Sequence, residues 1–243
     1  MSSSNQDHCE QKRPRISAHN ATFAKVVVGP EALTFNVHLD LLIHHSPFFR
    51  AALTGSFKEA DEKLVTLPDT ASNTFELFVH WLYYQRLPVE TDSSELFALY
   101  DDAEDDEVLY ESLVSLYIFC DKYDVPGLKR ECLDTLFSEI TDHHCLPQFS
   151  IVQRTFSNLE TDQDPLCRFL VEYYCYYSDE SLWALKDVQD LPWTFKAKVM
   201  AHYANMAFGG RDAYSLELCK YHDHATSKER KKCEKNREKT EKE

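Results

Sequence analysis

The sequence predicts an α+β protein, with short strands near its beginning and helices along the rest. In the segment LTFNVH, residues 33–38, apolar and polar side chains alternate strictly, which is the period of a half-buried strand. An apolar helical hairpin follows directly, and a second short strand pattern, KLVTLPD, occupies residues 63–69. Beyond it, apolar residues recur at the three- and four-residue intervals of amphipathic helices. Very few folds have this order of elements.

The first strands are expected to form a hairpin. The segment AKVVVG, residues 24–29, has the composition of a strand, and Gly29-Pro30 turns the chain toward the segment 33–38. Residues 1–20 are polar and serine-rich, so we expect a disordered N-terminal tail. The sequence KRPR in this tail, Lys12 to Arg15, is either a nuclear-import patch or a flexible basic segment.

Helix boundaries in the first half of the chain carry recognisable signals. Ser46-Pro47 interrupts the hairpin, and Pro suits the first turn of a second helix. Asn73, with Glu76 three residues later, predicts a capping box at the start of a third helix. A break at Pro126-Gly127 separates two further helices.

Helical patterns continue through the second half of the chain. Asp164 before Pro165 predicts a helix start, and the segment Asp190-Leu191-Pro192 predicts another. The pair Gly209-Gly210 is expected to end the latter helix. We therefore expect a helical extension over residues 143–210 and a charged C-terminal tail over residues 211–243.

Apolar stripes on these helices identify core positions. Phe48 and Leu82 lie on such stripes and are expected to be buried. Several of the eight cysteines also fall on apolar helical faces, and we expect them to be reduced core thiols. These cysteines are Cys120, Cys132, Cys167 and Cys175.

Four blocks in the first half of the chain, taken in order, resemble the BTB (POZ) domain. The first two comprise a strand ending in His, an apolar helix, Ser-x-Phe-Phe and Gly-x-Phe-x-Glu, represented here by His38, Leu42, Ser46, Phe48, Phe49, Gly55, Phe57 and Glu59. The third is a helix ending in an aromatic pair, within residues 75–87. The fourth, residues 115–137, is similar to LY-x-x-A-DKY-x-V-x-x-L, with Cys120 in place of the usual Ala.

This resemblance implies a BTB/POZ fold, a small mixed sheet with a cluster of short helices, over residues 21–142. The chain departs from the family pattern at residues 88–110, where a long acidic insertion replaces a short connection. Six of the seven residues from Asp101 to Glu107 are carboxylates, which is typical of a solvated loop.

The resemblance also implies a protein-binding function. BTB domains bind other proteins, and the family pattern assigns Leu39, Leu42 and Ile43 to self-association as a homodimer. The same pattern assigns docking on a cullin-type ubiquitin ligase to Phe49, Leu53 and Phe57, although the insertion alters that edge of the domain. Two functions stay open: an adaptor or scaffold that recruits a client, and a homo-oligomerisation unit of a nuclear regulatory protein.

Composition argues against several other functions. The formal net charge of −15 disfavours nucleic-acid binding, since phosphate contacts need available Lys and Arg. Residues 228–243 are basic, which leaves a charge of about −18 on the rest of the chain. With only five glycines and no phosphate-binding or nucleophile motif, the sequence predicts neither an enzyme nor a cofactor.

One cluster near the C-terminus has metal-binding residue types. Cys219, His222, His224 and Cys233 are spaced C-x2-H-x-H-x8-C, and thiolate and imidazole are the ligands of structural zinc. The intervals match neither a zinc finger nor a zinc ribbon, and the x8 linker is strongly charged. We therefore expect no metal here, and these four residues are the zinc candidates if one binds.

The sequence also predicts the protein's compartment. No apolar stretch approaches the roughly 20 residues of a membrane span, and residues 1–20 lack the apolar core of a signal peptide. We expect an intracellular protein, in the cytoplasm, the nucleus or both, that does not enter a membrane.

Overall fold

The computed structural model describes residues 14–101, 106–159, 164–209, 216–224 and 226–240, and the chain forms two compact units. Unit 1 contains the residues up to Phe97 and the segment Phe119–Leu128. Unit 2 contains Ala98–Ile118 and the residues from Lys129 onward. Lys12 and Arg13 of the basic patch and residues 102–105 of the acidic run lie outside the described residues.

The sheet of unit 1 has three strands: β1, Phe23–Val28; β2, Leu33–His38; and β3, Leu64–Leu67. Their order is β2-β1-β3. Strands β1 and β2 form an antiparallel hairpin, and β3 pairs with β1 in parallel, which makes the sheet mixed. Gly29 turns the hairpin with a positive φ of 74°, a conformation that glycine adopts without steric cost. The predicted α+β fold with a small mixed sheet is confirmed.

Short helices surround this sheet. They are α1, Leu39–His45; α2, Pro47–Thr54; α3, Lys58–Glu62; and α4, Ser72–Tyr84. Helix α5, Ser94–Tyr100, lies within the acidic insertion, and the long helices α6, Asp106–Lys122, and α7, Pro126–His143, follow. The latter two each contribute residues to both units.

Ser46 fixes the junction between α1 and α2. Its side chain accepts a hydrogen bond from the Phe49 amide at 3.0 Å and donates one to the Tyr123 carbonyl at 2.7 Å. The predicted start of a second helix at Pro47 is therefore confirmed, with Ser46 as its N-cap. The capping box expected from Asn73 and Glu76 is wrong, because α4 begins at Ser72 after Ala71 and has no side-chain cap.

Aromatic rings fill the core of unit 1. Phe49 stacks on Phe78 with ring centroids 6.1 Å apart, and Phe78 lies 4.9 Å from Phe119. Leu82 is buried, as predicted, but the burial expected for Phe48 is wrong, since 38% of this residue is exposed. Consecutive residues on a helix point about 100° apart, so only one of the two adjacent phenylalanines of α2 faces the core.

Unit 2 is helical. Besides its share of α5, α6 and α7 it contains α8, Phe149–Asn158; α9, Pro165–Tyr177; α10, Glu180–Trp183; α11, Trp193–Gly209; and α12, Ser227–Thr240. Short 3₁₀ helices occupy Lys186–Asp190 and Leu218–Tyr221. Asp164 caps α9 as predicted, accepting a hydrogen bond from the Leu166 amide at 2.9 Å. Its carboxylate also accepts from Tyr117 Oη at 2.8 Å and Lys129 Nζ at 3.0 Å.

The four cysteines expected in the core, Cys120, Cys132, Cys167 and Cys175, are buried and unbridged. Burial raises the pKa of Cys175 to about 12, and it also raises the pKa of Cys132. Both thiols therefore stay protonated at physiological pH and pack as small apolar groups. Within the described part of the chain, no helix is both long enough and apolar enough to cross a membrane.

Candidate protein-interaction surface

An open groove lies on unit 1 between α2, α3 and β3. Its volume is about 450 Å³. Two aromatic side chains line it and are accessible, Phe57 with 60% of its surface exposed and Phe48 with 38%. The lining residues are Phe48, Ala51, Ala52, Phe57, Lys58, Glu59, Glu62, Leu64, Val65 and Thr66.

Two backbone features shape this groove. At Gly55, which ends α2, an added Cβ would lie only 2.5 Å from the Ala51 carbonyl oxygen, so the turn toward Phe57 requires glycine. Lys63, which ends α3 in the left-handed conformation, donates from Nζ to the Leu53 carbonyl at 2.9 Å. Its own carbonyl accepts from the Lys25 amide at 2.8 Å. The groove is thus anchored to α2 on one side and to the sheet on the other.

The rim of the groove carries both charges. Lys58 and Glu62 form an exposed ion pair at 3.3 Å, and Glu59 is exposed beside them. Such a pair contributes little to stability because water screens it. Apolar walls within a charged rim are the arrangement found at protein–protein interfaces.

Of the three residues assigned to ligase docking, the structure exposes one and buries two. Phe57 lies on the exposed wall of the groove, whereas Phe49 and Leu53 have no exposed surface and belong to the core of unit 1. In this structure the latter two support the groove from within and offer no side-chain contact to a partner. Sequence reasoning missed Phe48, although two consecutive aromatic residues on a short helix signal that one of them is exposed.

The residues assigned to self-association are divided in a similar way. Leu42 is fully buried and Leu39 is 9% exposed, whereas Ile43 is partly exposed. Among the described residues β2 pairs only with β1, so it is an edge strand. Phe23 and Leu33, on this strand pair, are 48% and 47% exposed. Sequence reasoning missed both, because alternation does not show whether the outer face of a sheet is covered.

A charged cluster holds the beginning of the acidic insertion. The Arg86 guanidinium donates both Nη atoms to the Asp92 carboxylate, at 2.6 and 2.7 Å. This hydrogen bonding, with the Val89 amide as a second donor, holds the pKa of Asp92 well below its usual value. His80 Nε2 lies 3.8 Å from the same carboxylate, and burial lowers the pKa of His80. The cluster orders the chain after α4 and presents no reactive group.

The C-terminal Cys and His residues are brought together in unit 2. Cys219 Sγ lies 3.2 Å from His224 Nε2, and His222 Nδ1 lies 3.2 Å from Cys233 Sγ. The other nitrogen of His222, Nε2, contacts the carboxylate of Asp134 on α7. No local motif could have identified Asp134, because it precedes His222 by 88 residues.

A family model for the BTB/POZ domain matches residues 17–139, which is just over half of the chain. Among curated proteins, kelch repeat and BTB domain-containing protein 4 of mouse is 28% identical over 135 residues, which cover 55% of this chain and 24% of that protein. The armadillo BTB protein 1 of Arabidopsis thaliana is 24% identical over 173 residues, 71% of this chain and 20% of that protein. The chain thus spans about a quarter of the length of these relatives.

Proposed function

Since the chain belongs to the BTB/POZ domain family, we propose that it is an adaptor or scaffold that recruits a client protein to a second partner. The BTB domain is a protein-interaction module and not an enzymatic family, and the relatives combine it with kelch or armadillo repeats. An adaptor needs two binding surfaces. We assign one to the groove of unit 1 and the other to the helical extension.

The observation that carries this proposal is that Phe48 and Phe57 line one groove and are both exposed. Aromatic side chains dominate binding energy at interfaces when they enter a partner's pocket or line a groove that a partner fills. An exposed phenylalanine costs solvation free energy unless binding removes it from water. The pair is therefore expected to form the energetic centre of an interface.

We further propose that the partner at this groove is a cullin-type ubiquitin ligase. Support comes from the family pattern, which assigns docking to this edge of the domain, and from Phe57, the docking residue that is accessible here. Phe48 replaces the buried Phe49 as the second contact. The insertion at residues 88–110, with α5 inside it, distinguishes this docking edge from the usual family pattern.

The client surface is proposed to lie on the extension, residues 143–210. Helix α11 exposes Trp193 by 73% and Met200 by 65%, seven residues apart and hence on the same side of the helix. An exposed tryptophan is a strong candidate for an interface anchor. The proposal also places the protein in the cytoplasm or nucleus, where reduced thiols such as Cys120 and Cys175 persist.

The cullin assignment is tested by measuring the affinity of the purified chain for the amino-terminal regions of a panel of cullins. One cullin is expected to bind, and Phe57→Ala is expected to weaken it at least tenfold, which is about 1.4 kcal/mol. Tyr84→Ala removes an aromatic ring that is 63% exposed and does not line the groove, and it should leave the affinity unchanged. Equal effects of the two substitutions would contradict the assignment.

A second function, homo-oligomerisation, is favoured by the edge strand β2 and the exposed Phe23 and Leu33. Edge strands present unpaired N–H and C=O groups that a second copy can extend. Light scattering during size-exclusion chromatography of the purified chain measures its oligomeric state and so distinguishes the two candidate functions. A stable dimer that Leu33→Lys dissolves, together with the absence of any cullin binding, would favour the oligomerisation unit over the adaptor.

A further inference from the structure

The C-terminal part of unit 2 brings three metal-ligating side chains together and places a fourth against one of them. The ligand atoms of Cys219, His224 and Cys233 all lie within 4.8 Å of one another. His222 lies outside this group of three, but its Nδ1 is 3.2 Å from Cys233 Sγ. His222 and His224 lie between the last 3₁₀ helix and α12, Cys219 lies within that 3₁₀ helix, and Cys233 lies on α12. Their proximity is therefore a property of the fold and not of one helix face.

The two imidazoles present defined nitrogens to the sulfurs. His222 directs Nδ1 to Cys233 and Nε2 to the Asp134 carboxylate, and its side chain is only 4% exposed. His224 directs Nε2 to Cys219, while its Nδ1 is buried with no hydrogen-bond partner among the described residues. A carboxylate on the distal nitrogen of a histidine is the usual second partner of a zinc ligand, because it fixes the tautomer and makes the ring more basic.

Two sulfur–nitrogen distances are close to those around a tetrahedral zinc ion. With Zn–S bonds of about 2.3 Å and Zn–N bonds of about 2.05 Å, a sulfur and a nitrogen ligand lie about 3.5 Å apart. The two observed sulfur–nitrogen distances are both 3.2 Å. Each Cys–His pair therefore needs a shift of only a few tenths of an ångström to reach that separation. Since His222 lies outside the group of three, its ring must also move toward the other ligands when the ion binds.

Helix α12 gains little stabilisation from apolar packing. Its sequence, SKERKKCEKNREKT, contains no apolar stripe, and a helix that is polar all round gains little from packing. Of the side chains described on this helix, only Glu229 and Cys233 are partly buried. The Glu229 carboxylate lies 3.9 Å from Arg130, and both side chains are about 40% exposed. Such a pair contributes little to stability, whereas Cys233 contacts the ring of His222, whose side chain is 4% exposed.

We propose that Cys219, His222, His224 and Cys233 bind one structural Zn²⁺ that attaches α12 to unit 2, with Asp134 as a positioning residue on His222. Zinc replaces the protons of the two thiols, which pass to solvent, and four protein ligands complete the tetrahedron. No coordination position is left for water or substrate. The site is therefore structural, and it is independent of the adaptor function.

A disulfide between Cys219 and Cys233 is the competing interpretation. It would use the two sulfurs but would leave the convergence of both histidines, and the carboxylate on His222, without a role. The histidines are separated by a single residue, so extended backbone places both side chains on the same side. The specific features are the contact of each imidazole with a different sulfur and the Asp134 carboxylate on His222, and zinc accounts for them.

The test measures metal in the full chain, purified under reducing conditions without chelator. Elemental mass spectrometry should find one zinc per chain. The double variant Cys219→Ser/Cys233→Ser should hold at least tenfold less. Cys145→Ser removes an exposed, unbridged cysteine outside the cluster and should retain the full amount of zinc. Cobalt added to the metal-free wild-type chain should give the visible absorption of a tetrahedral site with thiolate ligands.

Asp134→Asn supplies a second, independent measurement. It should leave one zinc per chain at saturation but lower the zinc affinity at least tenfold, measured by competition with a chromophoric chelator. Three results would overturn the proposal: less than stoichiometric zinc with no tetrahedral cobalt spectrum, full zinc retention by the double variant, or a Cys219–Cys233 disulfide in protein whose thiols were blocked at lysis.

Discussion

The core of unit 1 and the C-terminal segment of unit 2, residues 216–240, are stabilised by different interactions. The unit 1 core is a continuous set of aromatic and aliphatic side chains, in which Phe49, Phe75 and Phe78 have no exposed surface. Among the side chains described in the C-terminal segment, Tyr221 is the large one that is buried, and polar contacts such as those from Arg130 and Arg168 to its backbone accompany it. Apolar burial is additive and non-directional, whereas polar contacts depend on exact partners and on protonation.

The largest expected effect concerns the adjacent phenylalanines of α2. Phe49→Ala should lower the free energy of unfolding by about 3 to 5 kcal/mol, because it leaves a cavity in the aromatic core. Phe48→Ala, the matched control, should cost less than about 1.5 kcal/mol, since this residue is 38% exposed. Urea unfolding followed by circular dichroism measures both. Equal losses would mean that the two rings share the core and that Phe48 is not available as a wall of the groove.

Tyr221 tests the C-terminal segment. Its ring packs against Phe137 and Phe169, with centroids 5.9 and 5.4 Å away, and its hydroxyl donates to Glu172 Oε2 at 2.6 Å. Tyr221→Phe keeps the ring and removes only the hydrogen bond, so we expect a loss of about 1 to 2 kcal/mol. Hydrogen exchange resolved by peptide should show weaker protection at residues 216–233 and unchanged protection in unit 1.

The control for this substitution is Tyr176→Phe. Tyr176 lies on α9 and is 47% exposed. It makes the same chemical change at a hydroxyl that water can reach, and it should alter neither stability nor exchange. If Tyr221→Phe also left the exchange of residues 216–233 unchanged, the segment would be held without its polar contact. The C-terminal segment would then not differ from the core of unit 1 in its dependence on a polar contact.

More of unit 1 than of the C-terminal segment could be predicted from the sequence. The physical reason is that sequence patterns report on neighbouring residues and not on contacts between distant parts of the chain. Strand period and helix period are local, so β2, the start of α2 at Pro47 and the cap at Asp164 could all be predicted. The choice between Phe48 and Phe49 depends on how a helix is rotated against its neighbours, which no local pattern encodes. Asp134 reaches His222 across 88 residues, and Tyr221 meets Glu172 across 49. Only the folded chain reveals such pairs.

The smallest expected effect applies the same contrast inside unit 1, where Asp92 is a polar attachment beside the aromatic core. Its folded-state pKa is lowered, chiefly by the hydrogen bonds from Arg86, so the carboxylate stabilises the fold when it is ionised. That stabilisation is fully present above the unfolded pKa of about 4 and is lost as the pH falls below it toward the folded value. Asp92→Asn should therefore lower the melting temperature at pH 7 and have progressively less effect below pH 4.

The control is Asp69→Asn, since the Asp69 side chain is 81% exposed and lies 3.9 Å from Lys122. An exposed ion pair contributes little to stability, so the melting temperature of Asp69→Asn should equal that of the wild type at every pH. A difference between wild type and Asp92→Asn that stays constant from pH 7 to pH 3 would contradict the expectation. The contribution of Asp92 to stability would then not depend on the charge of its carboxylate. This polar contact would resemble apolar packing, whose contribution does not change with pH.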